Sequence, residues 1–346
     1  MQWTVFCHVI DNFGDVGVCW RLACELARRG QAVRLVIDDP QTLAWMAPCG
    51  AQNVSLHAWH EALPAGDVVV EAFGCELPAA FVNAMALQPR PPLWINLEYL
   101  SAESYVERSH GLLSPHAGGL NKWFFYPGFN RRTGGLLREP GLLQRRATLD
   151  GRVWLAERGW AAQNGERVVS LFCYDNPALP ALLKELEQAP SLLLLTPGPA
   201  QQQVLALRQH RSNQGALRVV SLPWLSQDDY DHLLWACDIN FVRGEDSLVR
   251  AIWAGAPWVW QAYPQDDGVH HRKVEALLQA QGASPEVAAF WRAWNGSAPV
   301  LPTLPASSPW AHNVRSWSER LCGQPSLADA LLAFVIDKTR AQKADC

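Results

Sequence analysis

The sequence lacks the features that mark membrane, secreted and zinc-finger proteins. It contains no apolar run of about 18 residues, so we expect no segment to span a membrane. The first residues lead directly into a strand pattern, without a basic n-region or a cleavage site, and predict no signal peptide. The 9 cysteines form neither a C-x-x-C pair nor a metal-finger spacing, which indicates the reduced thiols of a cytoplasmic protein.

Positive charge is also scarce. The formal net charge is -4 at pH 7, whereas a nucleic-acid partner requires a positive surface, so we expect none. Tryptophan, in contrast, is frequent, with 17 residues that can fill a core or stack on planar ligands. A length of 346 residues with 49% hydrophobic residues is sufficient for two globular domains.

The N-terminal segment predicts a β-α-β unit, with strands at residues 3–10 and 32–37 and a helix between them. Its first loop lacks the G-x-G-x-x-G pattern of dinucleotide sites and instead carries Asp11 and Asp15. The carboxyl ends of strands are where open α/β sheets bind ligands, so both carboxylates are candidates for a site. The alternatives are a turn-forming role for Asp11 and a helix N-cap role for Asp15.

Further strands are predicted at residues 54–58, 68–72 and 93–96, and the aromatic segment 122–129 is predicted to be a loop. Glu71, Asn96 and Glu98 fall at strand ends, where we favour a capping role for them. A second α/β series begins near residue 167. Its predicted strands are 168–174, 192–196, 217–222, 239–242 and 258–262. Residues 296–309 are expected to be irregular, and a last helix is expected from residue 326.

The stretch from residue 237 to residue 255 is the most informative part of the second series. It predicts a buried strand, a turn at Arg243 and Gly244, and then a helix whose first turn holds Glu245, Asp246 and Ser247. A strand, a polar turn and a helix N-terminus form a phosphate-binding corner, to which Arg243 adds a fixed positive charge. An N-capped helix with a solvated charge cluster is the alternative.

The two series together predict an α/β protein with two Rossmann-like domains. The predicted N-terminal domain covers residues 1–162, completed by the helix at 326–346, and the C-terminal domain covers residues 163–325. A site would lie in the cleft between them. The pattern fits a sugar-nucleotide transferase, a small-molecule binding protein or an epimerase, and does not choose among them.

Several long motifs narrow this choice. In chain order they are DNFGDVGVCWRLA (11–23), INLEYLSAE (95–103), FFYPGF (124–129), TGGLLRE (133–139), NFVRGEDS (240–247) and YPQ (263–265). Together they resemble the elongation factor P arginine rhamnosyltransferases (EarP), and the match covers nearly the whole chain. The resemblance implies a GT-B glycosyltransferase with two facing Rossmann-like domains, an active site in the interdomain cleft, and no metal or other cofactor.

The resemblance also implies an inverting transfer of L-rhamnose from dTDP-β-L-rhamnose to one arginine of elongation factor P. This bacterial translation factor rescues ribosomes stalled at proline runs. Arg243 and the helix N-terminus at Glu245 to Ser247 are expected to stabilise the departing diphosphate. The remaining residues expected to contact the donor are Tyr174, Trp224 and Gln227 at the thymidine, Tyr263 at the diphosphate, and Asp246, Phe13 and Gly14.

The acceptor guanidinium is protonated at ordinary pH and is therefore a poor nucleophile. We assign Asp15 as the base and Asp11 as the clamp that orients the guanidinium, with Glu245 as an alternative base. Two other functions stay open. One is a GT-B enzyme with a small sugar or lipid acceptor, and the other is a non-catalytic regulator that binds a nucleotide sugar.

Overall fold

The computed structural model describes residues 1–9, 13–209 and 216–344. The chain folds into two compact units, of which unit 1 comprises Met1–Pro140 and Leu321–Cys346 and unit 2 comprises Gly141–Arg320. Each unit is built around one mainly parallel sheet that carries helices, as the sequence pattern predicts for an α/β protein.

Unit 1 contains a sheet of 7 strands in the order β3-β2-β1-β4-β5-β7-β6, all parallel except β6. The inner strands are nearly continuous runs of buried apolar residues, as expected for a parallel sheet covered on both faces. The strands are β1 (Gln2–Cys7), β2 (Ala32–Ile37), β3 (Val54–Ala58), β4 (Val68–Ala72), β5 (Leu93–Leu97), β6 (Leu113–Pro115) and β7 (Asn121–Phe125). The helices are α1 (Gly14–Arg28), α2 (Thr42–Met46), α3 (Ala79–Ala86) and α4 (Tyr105–Ser109).

Unit 2 contains a fully parallel sheet of 5 strands in the order β10-β9-β8-β11-β12. Its strands are β8 (Arg167–Leu171), β9 (Ser191–Leu195), β10 (Leu217–Ser221), β11 (Ile239–Arg243) and β12 (Trp258–Gln261). Its helices are α5 (Leu142–Thr148), α6 (Gly151–Glu157), α7 (Leu179–Leu186), α8 (Pro199–Arg208), α9 (Gln227–Ala236), α10 (Glu245–Ala254), α11 (Val269–Gln281) and α12 (Pro285–Trp294). Helix α13 (Ser307–Cys322) and helix α14 (Leu327–Ala344) complete the chain.

The boundary between the units differs from the predicted one. Unit 1 ends at Pro140 and not at residue 162, because α6 contributes Trp154 and Leu155 to the same core cluster as Val168 of unit 2. Helix α6 also packs closely on α9, where a Cβ on Gly151 would lie 2.6 Å from the Cα of Ala236. The return to unit 1 falls at residue 321 and not after residue 325, inside α13.

The C-terminal helix α14 belongs to unit 1 and packs on α1. The backbone N–H of Leu327 donates to the carbonyl of Leu136 at 2.8 Å. Arg29 at the end of α1 donates through Nε to Asp329 at 2.7 Å and through Nη1 to the buried Glu25 at 2.6 Å. These contacts hold the end of the chain against the first helix of the sheet.

Two predictions of local structure were wrong. The aromatic segment predicted as a loop contains β7, which pairs in parallel with β5 through Trp123 opposite Ile95. The sequence does not indicate this strand clearly, because it begins with the polar residues Asn121 and Lys122 and is followed by a loop rich in Pro and Gly. The irregular segment 296–309 ends earlier than predicted, because α13 begins at Ser307.

A buried ion pair joins α9 to α10. Arg250 donates through Nε and Nη2 to the two carboxylate oxygens of Asp231 at 2.7 and 2.5 Å, and the two side chains are 1% and 2% exposed. Asp231→Ala removes the carboxylate that neutralises the buried guanidinium of Arg250, so we expect it to destabilise unit 2 by about 3–5 kcal/mol. Differential scanning calorimetry measures the loss as a lower Tm.

Asp228→Ala is the matched control. Asp228 lies on the same helix, but it is exposed and forms only a loose surface pair with Arg145, at 3.8 Å. Such surface pairs are worth about 0–1 kcal/mol, so its Tm should stay near that of the unchanged protein. Equal Tm values for the two variants would show that the buried pair does not stabilise unit 2.

Candidate functional site

Arg243 is the last residue of β11 and lies at the carboxyl edge of the unit 2 sheet. It is only 7% exposed, and its guanidinium lies over the rings of Phe172 and Tyr174, with 4.6 and 4.3 Å to the two centroids. Among the residues that the structure describes, neither Nε nor Nη1 of Arg243 has a hydrogen-bond partner. Buried donors are normally satisfied, so this guanidinium is arranged to meet an anion.

The turn after Arg243 exposes the N-terminus of α10. Gly244 takes φ 69° and ψ 178°, a conformation that favours glycine, and brings the chain directly into the helix. Gly244 has no side chain to cap the helix, and its carbonyl accepts from Trp260 Nε1 at 3.1 Å. The first backbone N–H groups of α10 and the helix dipole therefore favour an anion beside Arg243.

Glu245, Asp246 and Ser247 form the first turn of α10, as predicted. The hydroxyl of the buried Ser247 donates to the carbonyl of Arg243, so its proton is used within the turn. This bond supports the backbone of the residue that presents the guanidinium.

Two tyrosines lie at the same edge as Arg243. The backbone N–H of Tyr174 donates to Oε1 of Gln261, the last residue of β12, at 2.9 Å. Its ring is buried and meets that of Tyr263 edge to face, with 5.4 Å between centroids. Tyr263 is 60% exposed and is free to contact a ligand. The structure therefore brings Arg243, Tyr174 and Tyr263 together.

Trp224 and Gln227 follow β10, at the far side of this sheet. Trp224 is 51% exposed, so its ring is not part of the core. Gln227 is the first residue of α9, and one turn later the ring of Tyr230 lies 6.0 Å from that of Phe172. Helix α9 thus connects this loop to the rings beneath Arg243.

Phe172 and Tyr230 are aromatic residues of this edge that the sequence did not single out. Phe172 immediately follows β8 and stands two residues before Tyr174, a spacing that places both rings on one face of an extended chain. Burial raises the pKa of the Tyr230 phenol well above its usual range, so it stays protonated. The Phe-Cys-Tyr spacing was the signal available in the sequence.

In unit 1, Asp15 is the predicted carboxylate that the structure describes. Asp11 falls outside the described residues. Asp15 is the second residue of α1 and is 4% exposed, whereas Phe13 occupies the N-cap position, so Asp15 is not the N-cap. Gly14 opens the helix, and the ring of Phe13 meets Trp45 edge to face at 5.3 Å. A carboxylate in the first turn is stabilised by the helix dipole.

Three more polar residues lie at strand ends of unit 1, and none of them caps a helix, contrary to the role favoured from the sequence. Glu71 is buried and accepts from Trp94 Nε1 at 3.0 Å and Lys122 Nζ at 3.2 Å. Asn96 accepts from the backbone N–H of Gly74 at 3.3 Å and donates to Oε1 of Glu98 at 2.6 Å. Burial is the main cause of a raised pKa of Glu98.

Metal and membrane sites were also sought. Over the described ranges, no group of three or more His, Cys, Asp or Glu side chains is placed to hold a metal ion. Within the same part of the chain, none of the helices combines the length and apolarity needed to cross a bilayer.

Comparisons with known proteins agree with one another. The model of the family described as Elongation-Factor P (EF-P) rhamnosyltransferase EarP matches residues 3–336. A protein-arginine rhamnosyltransferase of Pseudomonas aeruginosa is 44% identical, with 97% of this chain and 99% of that protein covered. One of Neisseria meningitidis is 34% identical, with 96% of each chain covered.

Two solved structures are also similar to this chain. A structure described as the basis for EarP-mediated arginine glycosylation of translation elongation factor EF-P matches with a TM-score of 0.67 and 35% identity, covering 97% of this chain and 99% of the other. A spinosyn rhamnosyltransferase, SpnG, matches with a TM-score of 0.54 and 12% identity, over 96% and 99% of the two chains, and shares the fold alone. The chain is therefore a glycosyltransferase of the GT-B fold and belongs to the EF-P rhamnosyltransferase EarP family.

Proposed function

We propose that this protein transfers L-rhamnose from dTDP-β-L-rhamnose to an arginine of elongation factor P, with inversion at the anomeric carbon. The modified factor is then active in rescuing ribosomes stalled at polyproline in the cytoplasm. The observation that carries the proposal is the buried guanidinium of Arg243, with unused donors beside the N-terminus of α10. Relatives named protein-arginine rhamnosyltransferase, and a solved structure concerned with EarP-mediated arginine glycosylation of EF-P, support the acceptor.

The donor half of the reaction follows from the edge of unit 2. As the bond between the sugar and the diphosphate breaks, negative charge grows on the departing oxygen. Arg243 and the backbone N–H groups of α10 stabilise that charge, and they are fixed before the reaction begins. Trp224, Gln227 and Tyr174 hold the thymidine, and Tyr263 contacts the diphosphate. Asp246, Phe13 and Gly14 complete the donor contacts.

The acceptor half requires a carboxylate. One guanidinium nitrogen attacks the anomeric carbon from the side opposite the diphosphate, so a single displacement inverts the centre. Asp15, at the start of α1, accepts the proton that this nitrogen loses as the new bond forms. Asp11 orients the guanidinium, and Glu245 is the alternative base. No covalent enzyme intermediate is involved.

The direct test is to incubate the purified protein with dTDP-β-L-rhamnose and unmodified EF-P, and to weigh the EF-P by intact-protein mass spectrometry. The expected product is EF-P heavier by one deoxyhexose, located on an arginine by fragmentation. An EF-P variant with that arginine replaced by lysine serves as the control and should keep its mass. EF-P of unchanged mass in the complete reaction would refute the proposed function.

The proposal needs no metal, because Arg243 and α10 supply the positive charge at the diphosphate. We therefore expect the rate of rhamnosylation to persist in excess EDTA. A rate that is lost with EDTA and restored by a divalent cation would show that a metal takes part.

Arg243→Ala removes the charge that matters most as the diphosphate departs. Loss of one such group costs about 2.7–4 kcal/mol of transition-state stabilisation, so we expect turnover at saturating donor to fall about 100- to 1000-fold. Arg292→Ala is the control, because its guanidinium is exposed and paired with Glu275 at the surface. Equal turnover for Arg243→Ala and Arg292→Ala would remove Arg243 from this role.

Asp15→Asn keeps the shape of the side chain but cannot accept a proton. We expect it to bind dTDP normally by calorimetry, while single-turnover rhamnosylation slows about 100- to 10,000-fold. Asp11→Asn should weaken EF-P binding as well as slow the reaction, because it removes a charged contact to the guanidinium. An unchanged rate for Asp15→Asn would move the base to Glu245. A slow variant that fails to fold or bind dTDP would show only a structural role.

A further inference from the structure

Glu98 is a carboxylate at the carboxyl edge of the unit 1 sheet that the mechanism above does not use. It is the first residue after β5, and its side chain is half-buried. Asn96 Nδ2 donates to Oε1 of Glu98 at 2.6 Å, and Asn96 is itself buried and fixed by the backbone of Gly74. The position of this carboxylate is therefore set by the sheet.

Glu98 differs from its neighbour Glu71 in what it binds. The carboxylate of Glu71 already holds the ammonium of Lys122 and the indole of Trp94. In the part of the chain that the structure covers, no Lys or Arg forms an ion pair with Glu98. Burial is the main cause of the raised pKa of Glu98, and the charge of Glu71 adds to it, whereas the hydrogen bond from Asn96 and the charge of Lys122 act in the opposite direction. A cation in direct contact with Glu98 would compensate further for the loss of hydration.

The Tyr126 phenol is close enough to this carboxylate to be affected by its charge. Burial, together with the charge of Glu98 and the phenol of Tyr105, raises the pKa of Tyr126 to about 12, so its hydroxyl keeps its proton. The rings of Tyr105 and Tyr126 meet edge to face, 5.9 Å apart, and Tyr105 is 39% exposed. Aromatic faces beside a carboxylate suit a flat, weakly hydrated cation such as a guanidinium better than a compact ammonium.

Glu98 lies at the same edge of the sheet as the carboxyl end of β1. Strands β1 and β5 both border β4, with Phe6 level with Glu71 and Glu71 level with Asn96. Glu98 stands two residues beyond that level, where the chain leaving β1 is two strand spacings away, about 9–10 Å.

We propose that Glu98 is the second carboxylate that grips the acceptor arginine, on the guanidinium nitrogens that do not attack, with Tyr105 and Tyr126 flanking it. This inference rests on the proposed function. A guanidinium offers five N–H donors in a planar fork, enough for Asp15 on one side and Glu98 on the other. A carboxylate at the far nitrogens draws the delocalised positive charge towards them and leaves more electron density on the nitrogen that attacks. The attacking nitrogen still loses its proton to Asp15 as the bond to the diphosphate breaks.

The test compares Glu98→Gln with Glu103→Gln, which removes the same charge from the same loop. The carboxylate of Glu103 already accepts a hydrogen bond from the hydroxyl of Ser101 at 3.1 Å, so this control should leave kcat/KM for EF-P nearly unchanged. For Glu98→Gln we expect kcat/KM for EF-P to fall about 10- to 100-fold, the usual effect of losing a hydrogen bond to a charged group. Affinity for dTDP and Tm should remain those of the unchanged protein.

A double-mutant cycle separates direct contact from a structural effect. The Kd of EF-P is measured by calorimetry in the presence of dTDP for the enzyme and Glu98→Gln, each with EF-P and with EF-P whose acceptor arginine is alanine. If Glu98 grips that arginine, its substitution weakens binding only when the arginine is present. Additive losses, or an unchanged kcat/KM, would overturn the inference. Should the unchanged enzyme fail to rhamnosylate EF-P, the proposed function itself would fall.

Discussion

The buried ion pair between Asp231 and Arg250 is the interaction that holds α9 and α10 together in unit 2. It joins the middle of α9 to the middle of α10 through two parallel hydrogen bonds, in a place almost closed to water. Such a pair gains little stability relative to an apolar core, because both charges lose their hydration. The pair can instead fix the register of the two helices, because the planar guanidinium binds both carboxylate oxygens in only a narrow range of geometries. The two helices begin with Gln227 and Glu245, so their register also sets the elements that surround Arg243.

Both units place their polar residues at the carboxyl ends of parallel strands, yet the two edges have opposite chemical character. The edge of unit 2 presents a cation with aromatic rings beneath it and a helix N-terminus beside it. The edge of unit 1 carries the carboxylates of Asp15 and Glu98, and the charge of Glu98 acts on the Tyr126 phenol. Because the sheet topology is of the same kind in both units, the loops determine whether an edge suits an anionic or a cationic ligand. An anionic donor suits the first edge and a cationic acceptor suits the second.

The strands and the turn at Gly244 could be predicted because their signals are local. Buried parallel strands are short apolar runs, and a glycine between a strand and a helix indicates a special backbone conformation. Features that depend on distant partners were less accessible. Helix α6 belongs to unit 2 because Trp154 finds its neighbours there, and no local pattern shows which core a short amphipathic helix will join. The role proposed for Glu98 was equally hidden, because the pairing of β4 with β5 and of β5 with β7 is needed to show that the ammonium of Lys122 binds Glu71.

The proposed chemistry explains why the protein needs both kinds of edge. An ordinary aspartate has a pKa of about 4, whereas the pKa of an arginine lies far above neutral pH, so proton transfer between them in the ground state is strongly unfavourable. A carboxylate therefore cannot prepare the nucleophile by deprotonating it first. The nitrogen becomes acidic only as it bonds to the anomeric carbon, and that bond advances only as the diphosphate departs. Stabilisation of the leaving group by Arg243 and orientation of the guanidinium by carboxylates thus act on one and the same barrier, and neither suffices without the other.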